Sequence, residues 1–545
     1  MSLHQKRMII AALVLSAAFT SLSQSSQTNI EQKNQGANSG LVVVESFDGL
    51  GEGFEGPQGK TYFRNPSDNS LAVGPDHVVQ TVNSRMAVFT KKGKKFPRTG
   101  EVLYGPGETR NVFKGFGGPC EDINNGDAVV RYDQFADRWL IVMPTFRRAI
   151  PKHDTLPFTK YAGGAEAGKP VDPGPPSTLY RPGYVIEERP AQRKKLPPDT
   201  VGSYCMCYAI STSSDPLGSY YRYEFRRDRF PDYPRPAIWH NGYYTTTSTG
   251  DHLNERHAYV VDRDKMLKGL PASEQWFILP DVNFIIHADV DGKNMPDKNT
   301  PAIMLATGGD QLNKITKDDG IYYWRHYTDW DAPALSRIQG PEKISVPEYR
   351  YLGDGQLTKA IPQPGTEMKL DAQGDKLMAR VVYRKFKNKE QIVAVHSVSV
   401  SEGRGGVRWY EFLRTPEGKL NINDQGTYAP ESGFRWMASP AIDRSGNIFI
   451  GYSFGDAENF PGQRMAARSA NLKGQGLNFK EVILAEGEAA QSTTLRWEDY
   501  TQTAVDPSDE DIIWYVGDYL KKGNQDYSTR IAAVKIGKRN KSGKK

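Results

Sequence analysis

GDAVVRYDQFADRWLIVM (126–143) is two apolar strands parted by a turn on Asp, and the figure recurs along the chain. SLAVGPDHVVQTVN (70–83), YPRPAIWHNGYYTTTST (233–249), MKLDAQGDKLMARVVY (368–383), SPAIDRSGNIFIGYS (439–453) and TAVDPSDEDIIWYVGDY (503–519) repeat it. Each opens on a polar or aromatic cluster, runs through a short apolar strand, turns on Asp, Gly, Pro or Asn, and returns as a second strand. IIHADVDG followed by PAIMLATG (285–308) is a weaker seventh copy. Hairpins repeated at intervals of roughly 50–100 residues predict a toroidal β-repeat, here an all-β, seven-bladed β-propeller.

If the first strand of each module is the innermost strand of a blade, the strand entries fall near Asn69, Asp127, Tyr233, His287, Thr366, Trp436 and Glu498. An open ring would leave two unpaired edges, so one end of the chain must complete the sheet of the other. TRIAAVKIG (529–537) supplies a third strand to the last blade, and the β-prone LVVVESF (41–47) is the expected fourth, a clasp. The step from the second to the third module holds segment 146–200, crowded with Pro, Gly and charge and without a sustained apolar period. It is expected to be a long loop laid over one face of the ring.

The flanks read differently. Lys6 and Arg7 precede an apolar run, Met8 to Phe19, with Ser21 and Ser23 offering a cleavage site, so residues 1–23 read as a signal peptide and the chain as exported. Segment 24–39, rich in Ser, Gln and Asn, is expected to be a disordered spacer. The propeller should span 40–537, followed by a basic tail at 538–545. That tail and the signal peptide carry the whole excess behind the formal charge of +6, which leaves a body near neutrality. Nucleic-acid binding, which needs a basic stripe on a folded surface, is disfavoured. No apolar window long enough for a membrane-spanning helix follows the N-terminus.

Cys120, Cys205 and Cys207 are the only cysteines. In an oxidising compartment one bridge can form and one thiol is left over. Cys205 and Cys207 point the same way on a strand, so a bond between them is strained and a bond from Cys120 to one of them, Cys207 by preference, is more natural. A zinc site lacks further ligands at suitable spacing.

The series NPSDNSLAVGPDHVVQTVN, GFGGPCEDINNGDAVVRYDQFADRWL, ISTSSDPLGSYYRYEF, FPDYPRPAIW, GVRWYEF, QGTYAPESGFRWMASPAIDRSGNIFIGYS and RWEDYTQTAVDPSDEDIIWYVGDY resembles a family of secreted bacterial β-propeller proteins of unestablished function. The resemblance covers roughly residues 60–535. It implies a secreted propeller and a bridge between the positions of Cys120 and Cys207, and it brings no activity. The Pro-rich segment 146–200 is longer than the connection typical of that family.

Strand entries of a propeller converge on one mouth of the central channel, so polar residues just before each inner strand should meet there. The candidates are Asp68, Asp127, Asp232, Asp289, Arg435, Arg496, Glu498, Asp499 and Tyr500. Arg435 and Arg496 belong to the matching segments FRWMASPAID and LRWEDYTQTAVD, which suits an anion clamp with Trp436 and Trp497 as flat faces for sugar rings. Paired carboxyls could serve as general acid and base in glycoside hydrolysis, with Asp127 and either Asp499 or Glu498 as the foremost pair. Tyr500 could instead be a nucleophile beside Arg or Glu. His287, near Asp289, could be the base of a lyase. Against these readings stands a structural one, in which buried Arg and Asp staple neighbouring blades and both Trp residues pack between them.

No cofactor is expected. The acidic turns DVDGKNMPDKN (289–299) and DPSDEDI (506–512) leave room for calcium, though neither has EF-hand spacing. DRSGNIFIGYS (443–453) resembles the Asp-box turn of sialidase-like propellers and speaks to fold only. P-loop and HExxH fingerprints are missing. Two functions follow: a hydrolase or lyase acting on an anionic glycan at the channel mouth, or a non-catalytic propeller binding a polysaccharide, an envelope component or a protein through the same face.

Overall fold

The computed structural model describes residues 30–146, 183–184, 204–227, 229–248, 255–280, 284–309, 318–355 and 358–537. The proposed signal peptide, the basic tail and nearly all of segment 146–200 lie outside them.

The chain is an all-β propeller. Ser70–Val73, His77–Val82, Arg85–Thr90 and Val102–Glu108 form one antiparallel sheet in sequence order. Val129–Asp133, Arg138–Pro144, Tyr204–Ser211 and Ser219–Arg227 form the next, with Gly183–Tyr184 paired to its outer edge. A third holds Asp232–Trp239, Gly242–Ser248, Glu255–Val261 and Glu274–Pro280. A continuous 14-stranded sheet follows, joined by parallel contacts at Ala288 with Val381 and at Gly405 with Phe434. The last sheet runs Gln502–Val505, Ile513–Tyr519, Ser528–Ile536 and then back to Leu41–Asp48.

That return is the expected clasp. Leu41 pairs with Ile536 and Phe47 with Ile531, and across one irregularity between Val43 and Glu45 the strand sends Leu41 and Val43 to one core cluster and Val44 and Phe47 to another. The ring is also closed on its inside, where Ser70 Oγ donates to Gln502 Oε1 at 2.9 Å.

Successive sheets pack face to face, which is where the apolar alternation of the strands is used. Val79, Met86 and Val88 of the first sheet meet Trp139, Ile141 and Cys207 of the second. Leu71, Val78 and Phe89 meet Trp514, Val516 and Ile531 of the last. The bridge Cys120–Cys207 ties the loop before the second sheet to that sheet's third strand, and Cys205 is a buried free thiol.

Two expectations need correction. The fifth strand entry is not at Thr366: Thr366–Leu370 pairs only with Ile361–Gln363 in a separate hairpin, and the sheet there begins at Val381–Lys385. The polar run from Asp371 to Asp375, with a left-handed backbone at Gln373 (φ 48°), breaks the strand that the apolar pattern suggested. The described part of the expected spacer, 30–39, is also not loose. Glu31 and Gln32 pair in parallel with Thr427 and Tyr428, the Gln32 amide bonds the backbone of Leu477 as donor and acceptor, and Asn38 N donates to Asn478 O. Composition underestimates this segment because its fixation comes from hydrogen bonds to a strand edge, which polar residues serve well.

Candidate functional site

Each sheet enters its inner strand from the same side of the ring, and there the backbone does something unusual. Asp68 (φ 49°), Asp127 (53°), Tyr233 (57°), Gln373 (48°), Met437 (49°), Glu498 (58°) and Asp499 (63°) are all left-handed, none of them glycine. Side chains in that region cost on the order of 1–3 kcal/mol each and persist only where surrounding structure enforces them. From such kinks Asp68, Asp127 and Asp499 bring their carboxyls to the mouth, whereas Glu498 and Met437 put their side chains into the interior.

Four of the predicted carboxyls meet there: Asp68, Asp127, Asp232 and Asp499. Asp68 is buried; its N–H donates to Glu498 O at 2.8 Å and its Oδ2 accepts from Asn83 Nδ2 at 2.7 Å. Its Oδ1 receives no donor, and the Asp127 carboxyl stands within hydrogen-bonding reach. Two carboxyls in that relation are satisfied by one shared proton. Burial, with the charges of Asp127 and Asp499, lifts Asp68 well above the usual carboxylate range. Burial, with the charge of Asp232, lifts Asp127 to about 7, against the opposing pull of its bond to Asp68 and of Arg235. Asp232, half-buried at the rim, is raised by burial and by Asp499. Asp499 is gripped by both edges of the Arg496 guanidinium, with Nε donating at 2.9 Å, and accepts from Gln373 Nε2 at 3.2 Å. The Arg496 side chain is 35% exposed, so it forms part of the rim.

The remaining predicted residues go elsewhere. Glu498 is fully buried and turned between sheets, where it accepts from Asp518 N at 2.6 Å, Gln463 Nε2 at 3.0 Å and Ser453 Oγ at 3.0 Å. It is a staple, and the pair Asp127 with Glu498 is not assembled. Arg435 is consumed by Glu481, with Nε at 3.1 Å and Nη2 at 3.0 Å, while Nη1 donates to Pro430 O at 2.8 Å. The clamp of Arg435 with Arg496 therefore does not form. Trp436 and Trp497 are fully buried with ring centroids 6.2 Å apart, packing between sheets rather than offering faces to sugar. Asp289 lies down the channel, held by Arg380 at 3.0 Å and Arg131 at 3.3 Å, and accepts from Ile238 N. Tyr500 does reach the mouth. Burial and the charges of Asp127 and Asp68 push its hydroxyl well above its ordinary value, which opposes a phenolate nucleophile. His287 faces His326 at 3.1 Å in the interior, and burial drives it well below the usual imidazole range. Among the described residues no group of His, Cys, Asp and Glu is arranged to hold a metal ion. Asp443, of the Asp-box-like turn, accepts from Ser445 N and Asn447 N at 2.9 Å each, at the opposite end of its strand.

Sequence reasoning missed several residues of the mouth. Arg235 lies against the rings of Tyr233 and Tyr500, its guanidinium carbon 3.3 and 3.7 Å from their centroids. Tyr233, Phe284, Tyr500, Val129 and Ala379 form the apolar floor. Lys376, buried, bonds Gln373 Oε1 at 2.5 Å and Asp375 Oδ1 at 2.6 Å and stands 4.4 Å from the Phe284 ring centroid. Alternate aromatic and charged residues at an entry were the available signal, as in FPDYPRPAI (230–238).

Below the mouth the channel contains a cavity of about 90 Å³, lined among others by Arg131, Arg380, Asp289, Asp291 and Gln502. These groups neutralise one another: Arg380 pairs with both aspartates, and Gln502 accepts from Arg131.

No family model matches this sequence, and no curated protein does. Among solved structures, a protein of unknown function from Dyadobacter fermentans aligns over 91% of this chain and 99% of its own at 11% identity, TM-score 0.33. The intramolecular trans-sialidase of Ruminococcus gnavus, in complex with oseltamivir carboxylate, aligns over 76% of this chain and 96% of its own at 11% identity, TM-score 0.36. A point mutant of the NanB sialidase of Streptococcus pneumoniae aligns over 80% of this chain and 71% of its own at 10% identity, TM-score 0.37. At such identities and scores these likenesses carry no argument about activity, and what the mouth does has to be read from its own residues.

Proposed function

We propose that this chain is an exported, seven-bladed propeller that cleaves a glycan at the channel mouth, as a hydrolase or a lyase. The blade count takes the 14-stranded sheet as three blades, each led by Ile286–Val290, Val381–Lys385 or Phe434–Ile442. Export is supported by the disulfide and by the basic and apolar start of the sequence. No helix among the described residues is long and apolar enough to cross a membrane.

The observation that carries the reading is the crowding of Asp68, Asp127, Asp232 and Asp499, with Asp127 poised to hold a proton near neutrality. In hydrolysis Asp127 gives its proton to the leaving glycosidic oxygen, and Asp499 takes the base's or nucleophile's part. The proton given up is the one Asp127 shares with Asp68, and the water consumed in hydrolysis supplies its replacement. With Arg435 out of reach, Arg496 at the rim is the cation left to meet an acidic sugar. The limited exposure of the cluster favours a second reading, a non-catalytic propeller that holds a glycan at the rim through Asp232 and Arg496.

The test is the purified mature chain with uronic-acid, sialylated, sulfated and neutral glycans, read for new reducing ends and for the ultraviolet absorbance of an unsaturated product. Cleavage lost in both Asp127→Asn and Asp499→Asn is expected. Binding without cleavage on every glycan would favour the second reading, and neither binding nor cleavage would sink both.

A further inference from the structure

We propose that Arg235 is the positioning residue of the mouth: from the corner between the rings of Tyr233 and Tyr500 it holds Tyr500 in place and sets a positive charge beside Asp127. The inference rests on the reading of the mouth as a proton-transfer site.

The local structure is built to bring Arg235 there. The strand Asp232–Trp239 loses register with its neighbour between Asp232 and Arg235, at the left-handed Tyr233. A bulge of this kind re-aims side chains, and here it lays the Arg235 guanidinium against two tyrosine rings. The two rings stand edge to face, 5.6 Å apart, so the cation fills the corner between them.

What sets Arg235 apart is what it does not do. Several buried arginines of the ring are used on carboxylates, Arg263 on Asp133 at 2.7 Å, Arg435 on Glu481 at 3.0 Å and Arg468 on Asp424 at 2.8 Å, and Arg408, which is not, bonds Thr427 Oγ1 and Gln425 Oε1. Arg235 is 2% exposed, donates from Nη1 to Pro234 O at 2.7 Å, and its Nε and Nη2 have no hydrogen-bond partner. A guanidinium whose task was to staple sheets would be paired, because an unsatisfied buried cation is costly. Its charge bears instead on Asp127, which it does not bond. Among the groups that face the pair, Asp232 and Asp499 hold its proton on, while Arg235 at Asp127 and Arg496 at Asp68 work to release it. Tyr500, beside both carboxyls, is stabilised in its charged form by the same arginine but stays neutral.

The experiment compares Arg235→Gln and Arg235→Lys in the full mature chain. The protonated-carboxyl infrared band, assigned with Asp127→Asn, is followed through a pH titration alongside the pH profile of glycan cleavage. In Arg235→Gln the Asp127 titration is expected to move to higher pH, a gain of about tenfold or more in proton affinity, with kcat lowered and KM little changed. Arg235→Lys keeps the charge and should restore most of the titration. A titration unmoved in a folded Arg235→Gln chain overturns the proposal. So does a folded Arg235→Lys chain whose Asp127 titration lies about tenfold or more in proton affinity above the parent's, an outcome that is read against the parent alone and stands even if Arg235→Gln fails to fold. The infrared titration needs no substrate: a shifted band in a chain that cleaves no glycan would overturn the hydrolase or lyase reading and leave the role of Arg235 standing.

Discussion

The two ends of the inner strands are chemically opposite. At the far end, aspartates that follow the strands are fully provided for. Asp133 accepts from Arg263 Nε and Tyr243 Oη, both at 2.7 Å, and from the backbone of Phe135 and Ala136. Asp506 accepts from Lys91 Nζ at 2.6 Å, Trp514 Nε1 at 3.0 Å and Ser508 N at 2.8 Å. At the mouth, aspartates that precede the strands crowd one another on left-handed backbone, and Asp68 Oδ1 has no donor. The same residue type is thus a fastener at one end and a source of tension at the other. Crowded carboxyls on strained backbone are where a fold can give up stability for activity.

The sharpest way to break this contrast is to neutralise one carboxyl at the mouth. Asp127→Asn should cost about 10²- to 10⁴-fold in turnover, the range of a general acid, in a chain whose melting temperature does not fall at neutral pH. The mirror experiment at the far end should do the reverse. Asp133→Ala strands Arg263 and the Tyr243 hydroxyl, and a loss of about 3–5 kcal/mol in denaturant unfolding is expected. Breaking the brace of the mouth-side loop with Cys207→Ala should cost about 2–4 kcal/mol, read by the same unfolding, with catalysis reduced only as far as the loop before Asp127 loosens.

The smallest effect is the most diagnostic. Asp127 has its proton affinity raised in the fold, so its contribution to stability is fully present below the usual carboxylate range. It is lost as pH rises towards about 7. Asp127→Asn removes that loss, and the variant should exceed the parent by on the order of 1 kcal/mol at mildly alkaline pH, with no advantage in acid. An equal advantage for Asp133→Asn would erase the distinction between the two ends.

Much of this was legible in the residues. The hairpin pattern marks the inner strands that begin at 70, 129, 434 and 502, the apolar LVVVESF marks the clasp, and the acids just ahead of the strands mark Asp68, Asp127, Asp232 and Asp499. What was hidden depended on partners far along the chain. Arg435-Trp436 and Arg496-Trp497 look alike, and both tryptophans do reach the same core. Arg496 finds Asp499 three residues on, whereas Arg435 finds Glu481 from just ahead of a distant strand, which no local pattern announces. Arg235 was missed because the bulge beside it resets the alternation by which a strand's faces are counted. The hairpin at 361–370 imitated a blade because its apolar residues serve a small local pairing.

Leu41–Asp48 finds its partner only in Ser528–Ile536, so the ring cannot seal until both ends of this region are available at once. During synthesis the free edge of Ser528–Ile536 and the face of the first sheet that packs on Trp514, Val516 and Ile531 must wait bare. That gives the chain a slow final step governed by contacts distant in sequence, and an interval of vulnerability to strand exchange with other molecules. Anything that shortens the wait, such as holding residues 30–40 against their neighbouring strands, would act on yield rather than on the stability of the finished protein.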